Sequence, residues 1–129
     1  MIINWSQFDL DCRVLATLIG EHSFYNQRNT TFYAIPRGGF FVAARVAYYL
    51  NMDKDKLHVF NDQIVLGMYD FIVDDIFDTG MTYNEILDMK SDTAFACLYA
   101  KERITSIPSK VLIGRQLKTE DHVYMPWGD

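Results

Sequence analysis

Residues 71 to 82 read Phe-Ile-Val-Asp-Asp-Ile-Phe-Asp-Thr-Gly-Met-Thr. Three apolar strand formers deliver two adjacent carboxylates, Asp74 and Asp75. A third, Asp78, precedes Thr79, Gly80, Met81 and Thr82 at a predicted helix start. Gly80 permits backbone conformations in which consecutive N–H groups point at one anion. Thr79 and Thr82 add hydroxyl donors, and a helix start adds unpaired N–H groups and a favourable dipole. Such a loop can hold phosphate. Carboxylates beside a phosphate make chemical sense if they also hold sugar hydroxyls or Mg²⁺, which takes oxygen ligands and often bridges to phosphate. The same residue types also fit a strand that ends in a solvated acidic turn. Upstream, Ala34-Ile35-Pro36-Arg37-Gly38-Gly39 breaks an apolar run with a guanidinium and two glycines. Taken alone, this is an ordinary strand-to-helix turn or a second anion loop.

The elements around these stretches alternate. Ser6 to about Glu21 is predicted as a helix, with Ser6 as its N-cap and Phe8, Val14, Leu15, Leu18 and Ile19 on one face. Thr31 to Ile35 is a short strand, and Phe40 to about Leu50 a helix with Ala43, Ala44 and Ala47 as small packing positions. Further strands are predicted at Lys56–Phe60, Ile64–Leu66, Phe71–Val73 and Ala94–Ala100, with short ones at Lys110–Ile113 and His122–Tyr124. Thr82–Met89 is predicted as a helix. The run from Ala94 to Ala100 lacks polar alternation and suits a central strand buried on both faces. The pattern predicts an α/β domain, a mostly parallel central sheet flanked by helices, with ligands at the C-terminal strand ends.

The chain of 129 residues, half of them apolar, fits one domain spanning 1–129. A domain of this size buries roughly two-thirds of its unfolded surface. Twelve Lys and Arg stand against 17 Asp and Glu, a net charge of −5, which argues against nucleic-acid and anionic-membrane binding. It leaves room for a phosphorylated small ligand held by local amides, one arginine or a metal ion. Cys12 and Cys97 are far apart and are read as buried or half-buried free thiols of a reducing compartment. No basic leader precedes an apolar run, and no stretch approaches the roughly 18 apolar residues of a membrane helix. A cytoplasmic protein is expected.

The segment from Phe71 to Thr82 resembles the phosphoribosyl-pyrophosphate signature of type I phosphoribosyltransferases: apolar strand, two acidic residues, two apolar residues, then Asp-Thr-Gly-x-Thr. Ala34 to Gly39 resembles the same family's pyrophosphate loop. Asn4-Trp5, Ala100-Lys101 and Pro126-Trp127 extend the similarity across nearly the whole chain, most of all to bacterial xanthine-guanine phosphoribosyltransferases. The resemblance implies transfer of 5-phosphoribosyl from phosphoribosyl pyrophosphate to a 6-oxopurine (guanine, xanthine or hypoxanthine) in nucleotide salvage. It implies Mg²⁺ as cofactor and a homo-oligomer, dimer or tetramer.

Residue by residue, the resemblance implies Asp78 as general acid/base near N7 of the base. Residues 78 to 82 would bind the phosphate, with Asp74 toward the ribose hydroxyls and Asp75 on the metal. Arg37 and Gly38 would hold pyrophosphate, and Lys101 would meet the 6-oxo group. The family's base-stacking aromatic lies five positions before the Trp of Pro-Trp. That position is His122, so His122 and Val123 would sandwich the base while Trp127 packs. By residue type alone, Lys101 is equally a surface lysine and His122 an exposed strand residue.

One departure is visible. The family carries a long hood between the strand at Lys56–Phe60 and Phe71; here only Asn61 to Asp70 stand there, enough for a tight turn and one short strand. No Lys or Arg occurs between Lys56 and Lys90. A lid protects a reactive sugar cation from water. A chain without one is therefore expected to be either a minimal, leaky transferase or a non-catalytic, regulatory binder of phosphoribosyl pyrophosphate or a nucleoside monophosphate. A hydrolase of another phosphoribosyl compound is a weaker third reading.

Overall fold

A computed structural model describes residues 1–77, 93–101, 107 and 110–128. Five parallel strands form one sheet, in the order β2-β1-β3-β4-β5. They are β1 (Phe32–Ala34), β2 (Leu57–Val59), β3 (Phe71–Phe77), β4 (Ala94–Lys101) and β5 (Val111–Leu117). Helices α1 (Trp5–Glu21) and α2 (Gly38–Tyr49) cover one face. The α/β class with a parallel sheet is as predicted.

β3 and β4 form the centre. Phe71, Ile72 and Val73 are fully buried, and every residue of β4 is buried. Each large side chain so buried contributes about 1.5–3 kcal/mol. Side chains alternate between two clusters. Phe71 and Val73 join Phe32, Leu15 and Val46 beneath the helices; Ile72, Phe95 and Cys97 face the other way, where Phe60, Leu66 and Ile107 pack on them. Cys12 and Cys97 are buried free thiols, as expected.

The helices depart from prediction in detail. α1 starts one residue early because Asn4, not Ser6, caps it; the Asn4 carboxamide oxygen accepts from the Gln7 amide at 2.8 Å. Its buried stripe is Phe8, Asp11, Cys12, Leu15, Ala16 and Ile19, so Val14 and Leu18 rotate outward and stand exposed. α2 starts at Gly38 instead of Phe40, and Ala44 lies outside while Ala43 and Ala47 pack.

Among the strands, Lys56 belongs to a one-turn 3₁₀ helix, Lys54–Lys56, and Ile64–Leu66 forms none. A parallel neighbour for it would have to lie outside β2, and the segment instead runs back past the sheet with Leu66 turned into the second cluster. β5 is longer than predicted. His122–Tyr124 makes only an isolated bridge, Ile2 with Tyr124. That bridge ties the two ends of the chain together: Ile3 N–H donates to Tyr124 O, and Tyr124 N–H to Met1 O, each at 2.9 Å. The predicted helix at 82–89 lies outside the described residues.

Candidate functional site

Register brings the two sequence motifs together. β1 pairs with β3 so that Ala34 stands opposite Val73, and Ile35 N–H continues the ladder to Val73 O at 2.9 Å. The next residues on each strand are then the Pro36-Arg37-Gly38 turn and the Asp74-Asp75 pair. Both sit at the C-terminal end of the sheet, where parallel α/β folds bind ligands. The Pro36–Arg37 peptide is cis. Arg37 occupies the N-cap position of α2 and is exposed.

The approach is close. A Cβ placed on Gly38 would lie 2.0 Å from Asp75 Oδ2 and 2.6 Å from its Cγ. One on Gly39 would lie 2.5 Å from the carbonyl oxygen of Val73. The two glycines therefore let the first turn of α2 rest directly on β3. The Asp75 carboxylate lies against the amino end of α2, where the helix dipole favours negative charge. This place joins the first turn of α2, which follows Arg37, to the Asp75 carboxylate.

Asp74 and Asp75 are not equivalent. Asp74 is buried and stands opposite Cys97 on β4. Burial, followed by the neighbouring charge of Asp75, pushes its carboxyl up to about 8, although the Asp75 amide donates to Asp74 Oδ1 at 2.8 Å. Asp75 is half-buried, with the Ile76 amide donating to its Oδ1 at 2.8 Å. The Cys97 thiol is pushed well above its usual range by burial and then by the two aspartates, so it is held neutral. The strand does not end at the carboxylates, as the sequence reading had it, but continues to Phe77.

Lys101 closes β4 opposite Leu117, one position beyond the Phe77–Ala100 pair, and is buried. It thus reaches the same sheet end as Asp74 and Asp75. Asp78, Thr79, Gly80, Met81 and Thr82 lie outside the described residues. His122 is exposed, its ring 4.7 Å from that of Tyr124, and its carbonyl accepts from the Met1 ammonium group at 3.1 Å. Val123 is turned into the core beneath α1. Trp127 packs as predicted: it stacks on Phe41 at 4.5 Å and meets Phe8 edge-on at 5.5 Å.

Sequence reasoning passed over one buried group. Asp11 accepts from the Tyr99 hydroxyl at 2.7 Å, from Arg115 Nη1 at 3.2 Å and from Gln7 Nε2 at 2.9 Å. This network pins α1 to the ends of β4 and β5, two residues before Lys101. A lone carboxylate on the Phe8–Cys12–Leu15 face was the available signal, since an acid on an apolar stripe needs partners.

Among the described residues, no cluster of three or more metal-ligating side chains occurs. Asp75, half-buried at the C-terminal end of the sheet, is a hard oxygen donor, whereas Asp74 is buried. That suits Mg²⁺, which uses one or two carboxylates and takes its other ligands from water and phosphate.

No family model matches the chain. Solved structures do. A purine phosphoribosyltransferase from Pyrococcus horikoshii superposes with a TM-score of 0.70 at 22% identity, over 100% of this chain and 94% of its own. The xanthine-guanine-hypoxanthine phosphoribosyltransferase of Helicobacter pylori gives 0.73 at 14% identity, over 98% and 92%. A hypothetical protein from Neisseria gonorrhoeae solved with bound ppGpp gives 0.68 at 17%, over 97% and 86%. The chain has the fold of these proteins.

Proposed function

We propose that this chain is a type I purine phosphoribosyltransferase. It would transfer 5-phosphoribosyl from phosphoribosyl pyrophosphate to a 6-oxopurine and release pyrophosphate, a step of nucleotide salvage in the cytoplasm. The observation that carries the reading is the Asp75 carboxylate seated on Gly38, which joins the Arg37-Gly38 turn and the acidic strand end into one site. The shared fold supports it, as do the purine enzymes among its neighbours, one of them solved with IMP.

In this reading the bond between the anomeric carbon and pyrophosphate breaks as a bond to a purine nitrogen forms. The proton the base gives up, at N7, passes to Asp78. Arg37 and the Gly38 amide hold the departing pyrophosphate, and Lys101 donates to the 6-oxo group. Asp74 orients the ribose hydroxyls, residues 78–82 hold the 5-phosphate, and His122 flanks the base alone, because the Val123 side chain is buried in the core and does not complete the expected sandwich. Asp75 would hold Mg²⁺, which when bound neutralises pyrophosphate charge.

The second reading, a non-catalytic or regulatory nucleotide binder, rests on the lack of any Lys or Arg from residue 57 to 89. The neighbour solved with ppGpp belongs to that comparison. Incubation with phosphoribosyl pyrophosphate, Mg²⁺ and guanine, xanthine or hypoxanthine separates the two. Nucleotide and pyrophosphate that vanish with Asp78→Ala support the transferase. Binding by calorimetry without product favours the binder, and failure to bind sinks both.

A further inference from the structure

Residues 122 to 125 follow β5 and alternate between core and solvent. Val123 and Met125 are buried, while His122 and Tyr124 stand exposed, their rings meeting near-perpendicular at 4.7 Å. This segment is not a strand of the five-stranded sheet. On its near side a turn leads into it, where the Asp121 amide donates to the Thr119 hydroxyl oxygen at 3.1 Å. On its far side the other end of the chain holds it. The Met1 ammonium group donates to the His122 carbonyl at 3.1 Å, the Tyr124 amide to the Met1 carbonyl at 2.9 Å, and the Ile3 amide to the Tyr124 carbonyl at 2.9 Å. These three bonds bracket the His122–Tyr124 stretch, and their partners are all main-chain groups of residues 1 and 3. Ile3 is buried in the same core as Val123 and Met125, whereas the Ile2 side chain is 80% exposed. A chain end is loose unless it is tied down, because ordering it costs conformational entropy. Here the terminal residues are ordered against the segment that carries His122.

We propose that the main chain of residues 1–3 is a positioning element for base binding: it sets the His122 ring in place for stacking on a purine. The inference rests on the enzymatic reading, in which His122 flanks the base. Val123 is buried and adds no second wall, so stacking falls on one imidazole, which offers less area than an indole. A ring of small area contributes most when it is already ordered, because every side chain immobilised on binding lowers affinity. The terminal bridge orders the His122 main chain beforehand, and the Tyr124 ring limits the imidazole from one side. In this reading Met1 and Ile3 touch no substrate and act only through His122. The device uses carbonyl and amide groups, so it leaves no side-chain signature in the sequence.

Calorimetry with two ligands tests it: GMP, which carries a base, and phosphoribosyl pyrophosphate with Mg²⁺, which does not. Deletion of Met1, by cleaving a fusion so that Ile2 comes first, removes the Met1 carbonyl and ammonium groups and keeps the buried Ile3. The deletion is expected to weaken GMP at least about threefold and to leave phosphoribosyl pyrophosphate unchanged. His122→Ala is expected to weaken GMP about tenfold, and the deletion made in that background is expected to add nothing, since it acts through the missing ring. A purely structural role would weaken both ligands and would persist without His122. Coupling is reciprocal, so in the unmodified chain GMP is expected to slow hydrogen exchange at the Ile3 and Tyr124 amides, and phosphoribosyl pyrophosphate is not. This readout needs no variant. GMP binding unchanged by the deletion, equal losses for both ligands, a loss that persists in His122→Ala, or exchange at those amides unaffected by GMP overturns the proposal and leaves the enzymatic reading standing. So does a parent that binds phosphoribosyl pyrophosphate but not GMP. A parent that binds neither ligand overturns both.

Discussion

Gly38 and Gly39 are neighbours with different obstacles in front of them, and substitution separates their roles. A methyl group on Gly39 would meet the Val73 carbonyl, which is strand backbone and cannot turn aside. Gly39→Ala is therefore expected to cost about 1–3 kcal/mol of folding stability in urea denaturation. A methyl group on Gly38 would meet the Asp75 carboxylate, a side chain that can rotate. Gly38→Ala is expected to fold nearly as well but to weaken Mg²⁺-dependent binding of phosphoribosyl pyrophosphate at least about tenfold in calorimetry. Undiminished binding by that variant would remove the turn-to-carboxylate contact from the site. The sequence showed both glycines and both aspartates. It could not show which glycine lies against which acid, because that contact joins a helix start and a strand through residues 37 apart in the chain.

At the scale of the element, α1 is held by polar as well as apolar contacts. Tyr99, fully buried on β4, donates its hydroxyl to Asp11, itself buried. Removing that donor leaves a buried carboxylate one partner short. Tyr99→Phe is expected to cost about 1–3 kcal/mol in urea denaturation; a variant as stable as the parent would show that Gln7 and Arg115 suffice. On the outer side of the same helix, Arg45 and then Tyr49 hold the Asp9 carboxyl below its usual range. A carboxyl lowered by folding stabilises the fold above its unfolded value and loses that contribution as pH falls through the lowered one. The difference in melting temperature between the parent and Asp9→Asn is thus expected near neutral pH and expected to fade below about pH 4. The pair is exposed to solvent, so the difference is expected to be small.

For the whole molecule the decisive feature is the short path from β2 to β3. Residues 60–70 form turns without a strand, tied down where the Asp70 carboxylate accepts from the Gly67 amide at 2.7 Å and the Thr31 amide at 3.3 Å. Phe60 and Leu66 pack on the sheet, and no lysine or arginine is present. A connection of this kind cannot seal a site or bring cations to pyrophosphate. If the chain is a transferase, an appreciable share of the phosphoribosyl pyrophosphate consumed is expected to appear as ribose phosphate. Mass analysis of products against time checks this; nucleotide as the sole product would mean that other parts of the molecule exclude water.

The residues and their order carry a great deal here. Strand formers before the carboxylates, glycines after Arg37 and an unbroken apolar run from Ala94 made the α/β class and the candidate ligand chemistry readable, because those features depend on local propensity and period. The tertiary structure decided what depends on distant neighbours. It turned Val14 and Leu18 out and Asp11 in, because the sheet, not the helix, chooses the buried stripe. It placed Lys101 at the end of β4, four residues beyond the Cys97 that stands opposite Asp74. It left Phe40 and Tyr48 on the outer side of α2 exposed, which the sequence did not decide. Apolar residues seek burial wherever they find it, and only the packed chain shows which of them find it.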